Sequence, residues 1–173
     1  MNHKNETSPR QMYDKDGVVV LRDALSSELK VLLRKAIEWA EANPSPMQSN
    51  LANDAQGSFI NEFMTYKRNP FVGKIAKSEK VLDVAASVVG TSTIRLFHDH
   101  ILIKRGAAPE TPWHQDRPYY LVTGPRNFSI WMPMNDVPAT EGLEFIPGSH
   151  LTNRLYMPVD FRMGHSLGEL SEP

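Results

Sequence analysis

The chain of 173 residues contains no cysteine, which excludes disulfides, thiolate metal sites and a cysteine nucleophile. It has no continuous run of about 18 apolar residues, so no segment reads as a membrane span. Residues 1 to 10, Met-Asn-His-Lys-Asn-Glu-Thr-Ser-Pro-Arg, are polar and lack the apolar stretch of a secretory signal; a cytoplasmic location is expected. Neither sign of charge is in excess. The net charge is −1 and the Lys and Arg residues are scattered, so the sequence shows no electrostatic footprint for nucleic acid or an anionic membrane. Internal repeats and low-complexity tracts are absent too, and no protein partner is indicated. What is present is ample core material. A hydrophobic content of 40% with 23% charged residues suits one globular domain over residues 1–173.

Local patterns divide the chain into helices followed by β-rich segments. Residues 1 to 10 read as a frayed end, and the β-branched run Gly17 to Arg22 reads as a strand. The clearest helix follows. Ser26 caps it, Glu28 favours its first turn, and Leu29, Leu32, Leu33, Ala36, Ile37 and Ala40 follow the i, i+3, i+4, i+7 rule before Asn43-Pro44 ends it. That stripe is expected to lie against the outside of a sheet. Residues 44 to 56 are polar and read as a mobile loop, and a second helix runs from about Ser78 to Val89, stopped by Gly90. From Thr91 onward, short β-rich runs alternate with Pro and Gly, as in an antiparallel sandwich or barrel.

Within that second part, Thr111-Pro112-Trp113-His114-Gln115-Asp116-Arg117-Pro118-Tyr119-Tyr120 carries the chemistry. On a strand, residues i and i+2 project to one side, so His114 and Asp116 can grip one cation together. An imidazole and a carboxylate, joined by a second His, form the facial triad that leaves three positions of octahedral ferrous iron open. Zinc hydrolysis is a competing use of such ligands. With 6 His and 9 Asp in the chain, roughly 0.3 His-x-Asp pairs arise by chance, so the bare match is weak and its context decides.

That context is Leu96-Phe97-His98-Asp99-His100-Ile101-Leu102-Ile103-Lys104 upstream, then Asn127-Phe128-Ser129-Ile130-Trp131-Met132-Pro133-Met134-Asn135-Asp136-Val137, then Glu141 to His150 with its Pro147-Gly148-Ser149-His150 turn. In this order and spacing, the segment from about Leu96 to His150 resembles the phytanoyl-CoA dioxygenase-like family of iron(II)/2-oxoglutarate oxygenases. The stretch Tyr13 to Arg22 with the following helix is similar, more loosely, to the family's opening. The resemblance implies a single oxygenase domain, mainly β with N-terminal helices: a helical part over about 11–90 and a β-rich core over about 91–173 that forms a double-stranded β-helix (jelly roll, cupin-like). It also implies Fe(II), 2-oxoglutarate as cosubstrate, and O2, with His114 and Asp116 as catalytic metal ligands and succinate and CO2 as coproducts of a small-molecule hydroxylation. In the family the distal His ligand and a carboxylate-binding Arg come later than the Pro-Gly-Ser-His turn. The chain is therefore expected to represent the N-terminal two-thirds of such an enzyme, without its C-terminal strands, and the third ligand and Arg to lie beyond residue 173.

Other residues acquire readings from the same resemblance. His100 lies on the family's strand beside 2-oxoglutarate, and Trp131, on one strand face with Ser129, stands where the family sets a residue against the cosubstrate; core packing is the alternative for the Trp. Lys104 is either a cosubstrate anchor or an ordinary solvated strand-end lysine. Arg117, Tyr119 and Tyr120 are candidates for the substrate mouth, and Trp113, Phe128 and Trp131 for excluding water. His98 and His100 form a His-x-His pair that offers a rival, cupin-like metal site for an isomerase or hydrolase. His150 reads as a structural turn residue and His165 as an outside candidate for third ligand. A catalytically silent binding domain is the remaining alternative.

Overall fold

The computed structural model describes residues 7–52, 57–120, 122, 124, 126–152 and 154–161. Its first element is a helix that the polar N-terminal sequence disguises. α1 (Pro9–Asp16) starts at Ser8, whose hydroxyl accepts from Gln11 N while the Gln11 side chain accepts from Ser8 N, with Pro9 in the first turn; this reciprocal box satisfies two donors that would otherwise be orphaned. Gly17 ends it at φ +77°. The run after Gly17 is not a strand, contrary to the β-branched reading: residues 18–21 are irregular and Val20 is 71% exposed. β propensity alone does not make a strand where no neighbour completes the backbone hydrogen bonds.

α2 (Ser27–Ala42) matches the expected helix, capped by the Ser26 hydroxyl on Leu29 N. Its stripe faces helices rather than a sheet. Leu29 and Ala36 are buried with Ile75 of α3 (Pro70–Ala76), and Leu32, Leu33, Phe71, Val72 and Val81 pack around them. Burial of each Leu or Ile here contributes about 1.5–3 kcal/mol. The junction rests on Asn69, which is wholly buried. Its Oδ1 accepts from Phe71 N and Val72 N at the start of α3, and its Nδ2 donates to Ala36 O in the middle of α2 at 2.8 Å. α4 (Glu79–Val89) ends at Gly90 with φ +69°, as its sequence suggests.

The polar stretch read as a loop over 44–56 is irregular apart from the two-residue strand Ser49–Asn50, and its residues 53–56 lie outside the described residues. β1 (Ser49–Asn50) pairs antiparallel with β2 (Gly57–Phe63), which pairs antiparallel with β3 (His100–Gly106). Register opposes Asn61 with Leu102 and Phe63 with His100. Glu62, buried in β2, accepts from Ser45 N at 2.7 Å and Gln48 Nε2 at 2.9 Å, so a charged side chain pins the turn after α2. Asp99, just before β3, accepts from Thr65 N, Thr65 Oγ1 and Tyr66 N, fastening the short 3-10 turn Thr65–Lys67 to the sheet.

After β3 the expectation of a β-rich core changes. Among the described residues from 107 onward the regular elements are two 3-10 turns, Arg117–Tyr119 and Ser149–Thr152, and the three-stranded sheet is open rather than rolled into a closed jelly roll. The architecture of the described residues is thus helices with a small antiparallel sheet. The β-branched and aromatic runs 128–137 and 143–146 have no ladder partner there, and a strand exists only as half of a pair. No helix of the described residues is long and apolar enough to cross a membrane.

Candidate metal centre

His114 and Asp116 are brought together as the sequence suggests, by a different backbone. Neither lies on a regular strand. Asp116 has helical dihedrals, φ −67° and ψ −39°, and opens the 3-10 turn Arg117–Tyr119. Bending at Asp116 swings its carboxylate toward the preceding imidazole, and His114 Nε2 stands 3.3 Å from Asp116 Oδ1. Two donors on adjacent vertices of an octahedral cation, each about 2.1 Å from it, are separated by about 3.0 Å, so the pair fits one cation. His114 Nδ1 lies 2.8 Å from Pro112 O. Donation of Nδ1–H to this carbonyl leaves Nε2 to face Asp116: it carries the proton of their hydrogen bond in the absence of metal and can give its lone pair to a cation once that proton is lost.

Electrostatics couple the two. The hydrogen bond to Asp116 raises the His114 pKa against the opposing effect of burial, and the same bond lowers that of Asp116. The second carboxylate oxygen is also engaged: Ser129 Oγ donates to Asp116 Oδ2 at 2.8 Å, and the Tyr120 hydroxyl lies 3.3 Å from Ser129 Oγ. Ser129 and Trp131 do not share a strand face, since residues 128–131 form no strand. Ser129 sits on Asp116, whereas Trp131 is 51% exposed. Trp113 is exposed as well, so neither tryptophan shields the site among the described residues.

Other rings enclose His114. Phe161 meets it edge-on at 5.0 Å, Tyr119 lies at 5.8 Å, and Tyr119 and Phe161 stack. The Tyr119 hydroxyl donates to Val159 O at 2.8 Å and accepts from Val159 N at 2.6 Å. Tyr119 thus ties the turn to residue 159 with its polar tip fully used. Gln115, between the two candidate ligands, bonds in the opposite direction: its Nε2 donates to Arg154 O and its Oε1 accepts from Tyr156 N. Neither Phe161 nor Gln115 carries a local signal that sequence patterns single out. Arg117 heads the 3-10 turn in an exposed position.

His98 and His100 do not share a strand face either, because His98 precedes β3. Their rings meet edge to face at 4.8 Å within a cluster that includes Phe63, Phe97 and Tyr120. Burial depresses both pKa values, His98 adding charge repulsion at His100. His100 Nδ1 bonds Asn61 Oδ1 across the sheet at 2.9 Å. Lys104 Nζ donates to Pro109 O and Thr111 Oγ1 and lies 4.5 Å from the centre of the Phe59 ring, and partial burial lowers its pKa. His150 has the structural part expected of a turn residue: Nε2 bonds Asp14 O at 3.2 Å, and its ring covers Gly17 so closely that a Cβ there would come within 2.5 Å of Nδ1. His165 lies outside the described residues, among which no group of three His, Asp or Glu is arranged to hold a metal ion.

The family model described as Phytanoyl-CoA dioxygenase (PhyH) matches residues 13–165. The ectoine dioxygenase of Sphingopyxis alaskensis is 26% identical over 148 residues, an alignment covering 81% of this chain and 48% of that protein. The chain spans about half the length of the curated relative it matches. No solved structure matches. With a family model extending over most of its length, the chain belongs to the phytanoyl-CoA dioxygenase family, whose members are 2-oxoglutarate-dependent dioxygenases with a cupin-like fold.

Proposed function

We propose that this chain supplies two iron ligands, His114 and Asp116, to an Fe(II)/2-oxoglutarate dioxygenase that hydroxylates a small-molecule metabolite in the cytoplasm. The observation that carries the reading is the convergence of His114 Nε2 and Asp116 Oδ1, with the imidazole held in the metal-binding tautomer by Pro112 O. Bound iron would supply the redox chemistry that couples oxidative decarboxylation of 2-oxoglutarate, to succinate and CO2, to insertion of an O2-derived hydroxyl. Every other task falls to protein groups. His114 and Asp116 hold the metal on one side and leave its other positions accessible. Tyr119 and Phe161 keep the imidazole from rotating, and the Lys104, His100 and Trp131 side chains serve the cosubstrate. Arg117 and Tyr119 border the substrate. A third ligand comes from outside the described residues, as do the strands that complete a jelly roll.

Anaerobic Fe(II) titration tests the assignment. The double variant His114→Ala/Asp116→Ala should lose binding almost entirely, because two of three protein ligands are gone; undiminished affinity rejects the site. Succinate release, assayed with and without candidate substrates, separates a turning-over enzyme from a silent binding domain of the same fold.

A further inference from the structure

The two oxygens of Asp116 occupy different environments. Oδ1 faces His114 Nε2 at 3.3 Å, whereas Oδ2 accepts from Ser129 Oγ at 2.8 Å. The Tyr120 hydroxyl lies 3.3 Å from Ser129 Oγ, and because Ser129 gives its one proton to Asp116, the phenol donates to Ser129. Its own placement is set by the aromatic cluster, edge-on to His98 at 4.9 Å and to Phe97 at 6.1 Å. Ser129 therefore links one oxygen of the carboxylate, through Tyr120, to the aromatic cluster, and the imidazole takes the other oxygen.

A carboxylate can bind a cation through one oxygen or through both. Two-oxygen binding takes up an additional position, and a facial three-residue site works by leaving positions open. Rotating Asp116 so that both oxygens meet a cation would break the Ser129 bond, and a hydrogen bond to a carboxylate is stronger than one between neutral groups. We propose that Ser129 and Tyr120 are positioning residues that hold Asp116 Oδ2 away from the metal, so that the aspartate presents Oδ1 alone at a fixed angle. The inference rests on the ligand assignment above and goes beyond it: Ser129 acts on the carboxylate rather than on the cosubstrate, and Tyr120 acts through Ser129 rather than on the substrate.

Mn(II) titration of the full chain, followed by the EPR signal of free Mn(II), reads the effect without requiring turnover. Ser129→Ala should weaken binding about 10- to 100-fold, the usual consequence of losing a hydrogen-bond partner of a metal ligand. Tyr120→Phe keeps the ring among His98 and Phe97 and should weaken it less. The double variant should fall short of the product of the two, because Tyr120 acts through the Ser129 hydroxyl. Ser129→Thr, which retains the hydroxyl, should bind like wild type. Thermal melts run alongside, and the proposal requires the affinity loss to occur without a matching loss in Tm. Wild-type affinity in both Ser129→Ala and Tyr120→Phe, while His114→Ala no longer binds, overturns the proposal and leaves the ligand assignment standing. Mn(II) binding unaffected by His114→Ala overturns both.

Discussion

Residues 9–106 and residues 107–161 are held together by different means. Among the described residues, the first stretch contains every helix of a full turn or more in the α conformation, all three strands, and eight of the nine buried apolar residues, Leu29 to Ile101; the second contributes only Val159. In the second, Trp113, Ile130, Trp131, Leu143, Phe145, Ile146 and Leu151 are all exposed. What fixes residues 107–161 is a set of side-chain tethers: Tyr119 to Val159, Gln115 to Arg154 and Tyr156, Ser129 to Asp116. Met132 adds an apolar contact with the α2–α3 core. The lesson is that the candidate metal ligands sit where the backbone is placed by individual polar contacts, so local changes there should alter geometry before they alter global stability.

The largest effect should come from the packed half. Asn69→Ala removes the cap of α3 and the buried bond that ties it to Ala36 O of α2, and should cost about 2–4 kcal/mol in urea denaturation. A cost under about 1 kcal/mol would show that the core does not depend on this junction. Tyr119→Phe should cost about 1–2 kcal/mol, and hydrogen exchange at Val159 should accelerate far more than exchange in α2. Equal acceleration in both places would erase the distinction between the two halves.

The His114–Asp116 pair gives a smaller, pH-dependent effect. In metal-free protein with chelator present, the depressed Asp116 pKa adds stability above the ordinary carboxylate range that disappears as pH falls through its folded value. The raised His114 pKa adds stability below about pH 6.5 that disappears as pH rises through its folded value. The coupling is therefore greatest from about pH 5 to 6.5. Because the Asp116 side chain is half exposed, it should not exceed about 1 kcal/mol. Comparing wild type with Asp116→Asn across pH 3 to 9 checks this, and a difference that keeps growing above pH 8 contradicts it. Trp131→Ala should change stability least, by under about 0.5 kcal/mol, whereas a core tryptophan would cost about 3–5 kcal/mol. If Trp131 serves 2-oxoglutarate, the same variant raises the cosubstrate requirement while the melting curve stays put.

Sequence patterns recovered what local physics determines. Ser26, the 3.6-residue stripe and Asn43-Pro44 bound α2 without help from the rest of the chain, and His114-Gln115-Asp116 announced a two-donor site whether its backbone was a strand or a bend. The missed elements divide into two kinds. α1 and α3 carried readable signals, Ser8-Pro9 with Gln11 and Asn69-Pro70, each a cap residue followed by proline. β2 carried none: Asn61 and Glu62 interrupt its apolar residues, and it is a strand because β1 and β3 flank it. The opposite error at Val18-Val19-Val20 has the same origin, since propensity was present and a partner was not. The packing of Phe161 on His114 and the grip of Ser129 on Asp116 span 47 and 13 residues, separations that no local period encodes.

The clasp at the N-terminal helix has a kinetic consequence. His150 Nε2 reaches Asp14 O, and Gly148 N donates to Asp16 O at 3.0 Å, which joins positions 136 residues apart. Such a contact closes a loop containing nearly the entire chain, and a contact of that span rewards the chain only after the intervening segments are compact. Helices and hairpin should therefore form first in refolding, and the loop that bears His114, Asp116 and Ser129 should be sealed last. Gly17 then matters twice: its left-handed backbone ends α1, and its lack of a side chain leaves room for the His150 ring, so a larger residue there should strain the helix end and also slow the closing phase.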